Sequence, residues 1–212
     1  MPALLPQDQL RWPIMFTGGM LVRYEPCQGS GVAYVGGPLE QRFVGRKFGD
    51  EPLHRVFSFT PGVLPQPSGH YLQGRLGFFY GLRYDGCHLR YLVPVQLGVN
   101  AQFVQESDPI KVLTIQPKSS SSDWPYDDYP RLLPYVPLKE VSRKPIDAQT
   151  FAATYSWQGI DDLSENELVV VVPTMPNLGI SLWGRRGEDA AVQIIFRFNY
   201  LTNEVSVITQ CA

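Results

Sequence analysis

Val56-Phe57-Ser58-Phe59-Thr60-Pro61 and Val169-Val170-Val171-Val172-Pro173 are two short apolar runs that each end at a proline, and the residues beyond each proline are alike. After the first come Leu72-Gln73-Gly74-Arg75, an aromatic run, a turn at Asp85-Gly86 and Leu89-Arg90-Tyr91-Leu92-Val93. After the second come Leu182-Trp183-Gly184-Arg185, an apolar run, a turn near Thr202-Asn203 and Val205-Ser206-Val207-Ile208. A strand, a link, a Leu-x-Gly-Arg turn and a pair of strands recur in the same order. Repetition of this kind marks two similar supersecondary units around a shared core. The expected fold is mainly β (a β-rich α+β fold), with two pseudo-symmetric antiparallel β units packed together and one or two short helices.

The flanking sequence reads the same way. Residues 20–24 and 32–35 lie either side of Pro26-Cys27-Gln28-Gly29-Ser30-Gly31 and suggest a hairpin with a long loop. Residues 76–84 and 87–93 suggest the clearest hairpin, because Asp-Gly supplies the positive φ of a tight reversal. Residues 97–104 and 110–115 add further strands, for a total of roughly ten to thirteen at the usual strand length. Helical spacing is confined to residues 147–157, where Asp147 can cap the first turn and Phe151 and Tyr155 share a face. A second short turn is expected over residues 164–167.

Residues 116–138 differ from the rest. Four serines come after Lys118, and then Pro125, Pro130, Pro134 and Pro137 alternate with Trp124, Tyr126, Tyr129 and Tyr135. The prolines argue against a regular helix and a central strand. This segment is expected to be an extended crossover joining two halves, 14–115 and 139–212, of a single compact domain spanning 1–212.

Bulk composition bounds the function. The chain has 212 residues, enough to bury a sizeable core. Charged residues are 18%, below the usual quarter, while glycine and proline reach 19 each, which favours short strands and turns over solvated helices. A formal net charge of −2 offers no basic excess to offset a phosphate backbone, so nucleic acid is not an expected partner. Three scattered cysteines (Cys27, Cys87 and Cys211) fit free thiols in a reducing compartment. The opening MPALLPQDQLRWP lacks the basic and apolar regions of a secretory leader, and no apolar run approaches the length of a membrane span. A cytoplasmic location is expected, without membrane association.

Chemistry-bearing residues are sparse. His54, His70 and His88 have no compact metal-ligand spacing, and His88 and its neighbour Cys87 would face opposite sides of a strand. No metal or cofactor is expected. Asp123, Asp127 and Asp128, and then Asp161, Asp162, Glu165 and Glu167, could supply an acid–base pair, but both groups fall in turn-like sequence where carboxylates cap turns. Gly179-Ile180-Ser181-Leu182-Trp183-Gly184 misses the G-x-S-x-G elbow by one residue. The aromatic segment is the best functional candidate. Trp124, Tyr126, Tyr129 and Tyr135 bring large semi-polar contact area at modest entropic cost, as partner-binding surfaces do. The alternative for these rings is a structural plug between the halves.

Gly74-Arg75-Leu76-Gly77-Phe78-Phe79-Tyr80, Trp183-Gly184, Val192-Gln193-Ile194-Ile195-Phe196, the closing strand through Gln210-Cys211, and Trp12-Pro13 together resemble the YwqG-like family of bacterial proteins of unknown function. The resemblance implies two similar β-rich halves and a cytoplasmic protein without an established catalytic site. It also implies a protein partner, as for an antitoxin or immunity protein, and it transfers no functional residues. The leading expectation is a non-catalytic protein-binding module of the cytoplasm, an immunity or accessory factor, rather than an enzyme. The contrasting classes are a carboxylate- or His-dependent hydrolase using Asp127, Asp128, His70 or His88, and a structural or assembly subunit such as a phage component.

Overall fold

The computed structural model describes residues 10–37, 47–48, 51–52, 54–60, 62–65, 71–80, 89–99, 101–104, 111–115, 133–155, 162–164, 166–180 and 192–211. Its first strands are β1 (Ile14–Thr17), β2 (Met20–Pro26), β3 (Ala33–Gly37), β4 (Lys47–Phe48), β5 (Glu51–Pro52) and β6 (His54–Phe59). Then come β7 (Gly62–Pro65), β8 (Tyr71–Gly74), β9 (Gly77–Tyr80), β10 (Leu89–Leu92), β11 (Val95–Leu97), β12 (Ala101–Val104) and β13 (Lys111–Ile115). The long β14 (Leu133–Pro145), the helix α1 (Ala148–Tyr155), β15 (Glu167–Pro173), a 3-10 turn (Pro176–Leu178), β16 (Val192–Asn199) and β17 (Glu204–Cys211) complete the order among the described residues.

Eleven strands form one antiparallel sheet, in the order β13-β10-β17-β16-β15-β1-β2-β14-β3-β6-β9. A four-stranded sheet (β11-β12-β8-β7) and the short β4–β5 pair accompany it. The mainly β expectation holds, and the two repeat units share the large sheet. In each unit the apolar run pairs with the strand after the Leu-x-Gly-Arg sequence, β6 with β9 and β15 with β16. The third strands diverge: β17 pairs with β16, whereas β10 pairs with β17 and β13.

The eleven strands curl until they nearly close. Phe78 on β9 reaches Phe196 on β16, with ring centroids 5.2 Å apart, and the Phe79 amide meets the Tyr91 hydroxyl of β10 at 3.0 Å. The interior holds the larger core, including Val22, Tyr24, Val35, Phe57, Phe78, Tyr91, Val170, Phe196, Phe198 and Val207. A second cluster lies on the outer face, where Phe151 and Tyr155 of α1 cover Ile14, Phe16, Val169, Val171 and Ile195. β15 therefore shows no polar alternation. Its even-numbered residues 168, 170 and 172 face the interior, and Val169 and Val171 lie under the helix. Burying each valine contributes about 1.5–3 kcal/mol relative to exposure.

The helix forms where expected. Asp147 Oδ1 accepts the Thr150 amide at 2.7 Å and Oδ2 accepts the Thr150 hydroxyl at 2.6 Å, satisfying a first-turn donor. Arg23 on β2 holds its far end, lying over the Tyr155 ring at 5.7 Å and donating to its hydroxyl. The turn expected over residues 164–167 is also present, closed by the Glu167 amide on the Ser164 carbonyl.

Pairing departs from the sequence reading in four places. β2 and β3 are not a hairpin, because β14 lies between them and pairs with both. β9 and β10 share no backbone ladder among the described residues; β9 pairs instead with β6, which sets Phe78 opposite Phe57 in the interior. Residues 97–104 are not one strand but two, β11 and β12, reversed through a Gly98 amide bonded to the Ala101 carbonyl at 2.7 Å. Residues 133–138 are strand rather than crossover, despite Pro134 and Pro137. β14 tolerates them because both fall in its first half, whose ladder runs along β3 through a register shift between Leu133 and Val136, while the ladder with β2 starts only at Leu138.

Candidate functional site

Of the four aromatic candidates, Trp124, Tyr126 and Tyr129 lie outside the described residues, and Tyr135 lies within β14. Its ring stacks in parallel on Tyr34 of β3, with centroids 4.5 Å apart and planes 5° apart. Two glycines make this possible. Gly36 and Gly37 at the end of β3 take φ values of +66° and +99°, which side-chain-bearing residues rarely adopt. A Cβ on Gly37 would overlap the Tyr135 ring, and one on Gly36 would overlap the Pro134 carbonyl. The Tyr34 hydroxyl oxygen also accepts the Gly31 amide at 3.1 Å, which fixes the lower ring.

Tyr135 is nevertheless 51% exposed. Partial burial and a hydrogen bond to Tyr34 raise its hydroxyl pKa, and the fields of Arg75 and Arg55 oppose that shift. The surface here is a fixed aromatic stack. Tyrosine is a residue type that concentrates binding energy at protein interfaces.

Among the described residues, the other sequence candidates form no catalytic group. Asp123, Asp127, Asp128, Asp161, Glu165, His70, His88 and Cys87 lie outside the described residues, and only the backbone of His54 is described, in β6. Asp162 and Glu167 both bond Arg197 of β16, Glu167 through both carboxylate oxygens at 3.1 and 2.8 Å. Glu167 also accepts the Ser164 amide, so this group ties the loop before β15 to β16. Cys27 is a free, half-buried thiol. Among the described residues no three His, Cys, Asp or Glu side chains gather as metal ligands, and no helix is long and apolar enough to cross a membrane.

A cleft that the sequence did not reveal opens at the ends of β1 and β15. One wall is Leu10-Arg11-Trp12, which leads into β1; the other is Thr174-Met175-Pro176-Asn177, which leaves β15. The antiparallel pairing Ile14↔Val171 brings the two walls together. Its volume is about 370 Å³. The far wall is held by a reversal in which Met175 and Ile180 exchange backbone hydrogen bonds of 2.9 and 3.1 Å, with Gly179 at φ +69°. Arg11 lies over Trp12, 5.0 Å from the ring centroid.

No family model matches this chain, and neither the curated proteins nor the solved structures gave a match.

Proposed function

We propose that this chain is a non-catalytic protein-binding module that acts in the cytoplasm as an immunity or accessory factor. One observation carries the reading: the Tyr34–Tyr135 stack, with its outer ring half exposed and its inner ring anchored. Ordering an aromatic side chain at an interface costs about 0.5–1.5 kcal/mol, and here that cost is met within the fold. The neighbouring aromatic sequence at Trp124, Tyr126 and Tyr129 adds contact area of the same chemical type.

The reading is tested by replacing Tyr135 with a photo-crosslinking phenylalanine analogue in the native host. Crosslinks to one protein, in stoichiometric yield and absent when the analogue is placed at the exposed Gln149 of α1, support it. Crosslinks scattered over abundant proteins, or equal from both positions, overturn it.

A further inference from the structure

The Arg11–Trp12 cleft has the lining of a small-molecule site. Leu10 is buried against the helix-side cluster and Trp12 packs on the interior core, so the backbone is pinned on both sides of Arg11. Arg11 itself is exposed, and among the described residues no carboxylate pairs with it. Its guanidinium is instead held over the Trp12 ring, an arrangement that orients a planar cation without neutralising it. Leu10, Trp12, Met175 and Pro176 supply apolar surface, and Asn177 supplies an amide.

We infer that this cleft binds a small carboxylic acid with a flat apolar body. The volume of about 370 Å³ falls within the range of small-ligand pockets, at its lower end. One guanidinium can take a carboxylate through two parallel N–H···O bonds, while Trp12 and Met175 cover the apolar body. A phosphate fits less well. It is more strongly hydrated, and the lining offers it a single cation. The two walls come from opposite ends of the sequence, so ligand binding also clamps β1 to β15.

The test is an amide-proton NMR titration of the full chain with 3-phenylpropionate and indole-3-propionate, alongside their uncharged amides and inorganic phosphate. Saturable shifts of the Trp12 indole N–H and the Asn177 side-chain amide are expected with the acids. The uncharged amides should bind at least about tenfold more weakly, the loss of one charge-assisted contact. Arg11→Gln should bring the acids down to the affinity of the amides and leave the amides unchanged. Arg143→Gln, on β14, should alter nothing. Equal affinity for acid and amide, insensitivity to Arg11→Gln, shifts scattered away from Trp12 and Asn177, stronger binding of phosphate, or no saturable binding of either acid would each overturn the inference.

Discussion

Phe79 on β9 donates its backbone N–H to the hydroxyl oxygen of Tyr91 on β10, over 3.0 Å. These strands lie toward opposite ends of the eleven-stranded order, so one buried side chain bridges the gap that backbone pairing leaves between them. Tyr91 is wholly buried, and its phenyl ring contributes to the interior core.

Replacing Tyr91 with Phe keeps the ring and removes the acceptor. The buried Phe79 amide then loses this bond, at a cost of about 1–3 kcal/mol. Urea denaturation should show a lower midpoint with an unchanged slope. An unchanged midpoint would show that the bridge contributes nothing to closure.

High pH should unfold the protein through its buried phenols. Burial raises the pKa of Tyr24, Tyr91 and Tyr200, that of Tyr200 to about 12, against an ordinary value near 10. The neutral form is favoured in the folded state, so the associated stability is fully present below about pH 10. It is lost as pH rises through the folded values. Phenolate absorbance from these three residues should therefore appear together with loss of tertiary structure, and reversible ionisation of all three in a folded protein would contradict the packing. Tyr200→Phe should flatten the alkaline limb while removing the 3.0 Å hydrogen bond with Thr17.

Low pH acts on the helix cap. Hydrogen bonds from the Thr150 hydroxyl and amide hold the Asp147 carboxyl below its ordinary value. A depressed carboxylate stabilises the fold above its unfolded pKa of about 3.9, and that stability is lost as pH falls through the folded value. Asp147→Asn should keep the cap and flatten this acid limb, whereas Asp147→Ala should lower the melting temperature at neutral pH as well. Identical acid limbs for the native protein and Asp147→Asn would be inconsistent with the cap.

Gly37 and Tyr135 should be energetically coupled. Gly37→Ala introduces strain at φ +99° and a clash with the Tyr135 ring, together costing about 1–3 kcal/mol. Removing the ring with Tyr135→Ala should recover part of that loss, leaving the backbone strain. A double-mutant cycle with no coupling would show that the ring does not lie over Gly37.

Local signals in the sequence carried as far as local structure. The apolar run 168–172 marked β15, and Asp147 with Phe151 and Tyr155 marked α1. Pairing was hidden because it joins distant segments: Leu89 lies opposite Val207, and β14 inserts between β2 and β3. Prolines concealed the start of β14, since their missing N–H excludes a strand paired on both sides but not one paired on a single side. Tyr135 was visible as an exposed aromatic candidate, but its partner Tyr34 was not. Adjacent Gly36-Gly37 was the available signal that another group approaches the backbone there. The cleft was invisible because Arg11 and Asn177 meet only through the β1–β15 ladder.

The most direct test of the binding function is affinity purification of the tagged chain from its native host, with Tyr135→Ser purified in parallel. Tyr135 is half exposed, so this change should leave the melting temperature nearly intact. The expected result is one stoichiometric protein partner that is retained by the native chain and lost from Tyr135→Ser at equal folded concentration. A partner retained equally by both, or none recovered with either, would contradict the proposed binding face.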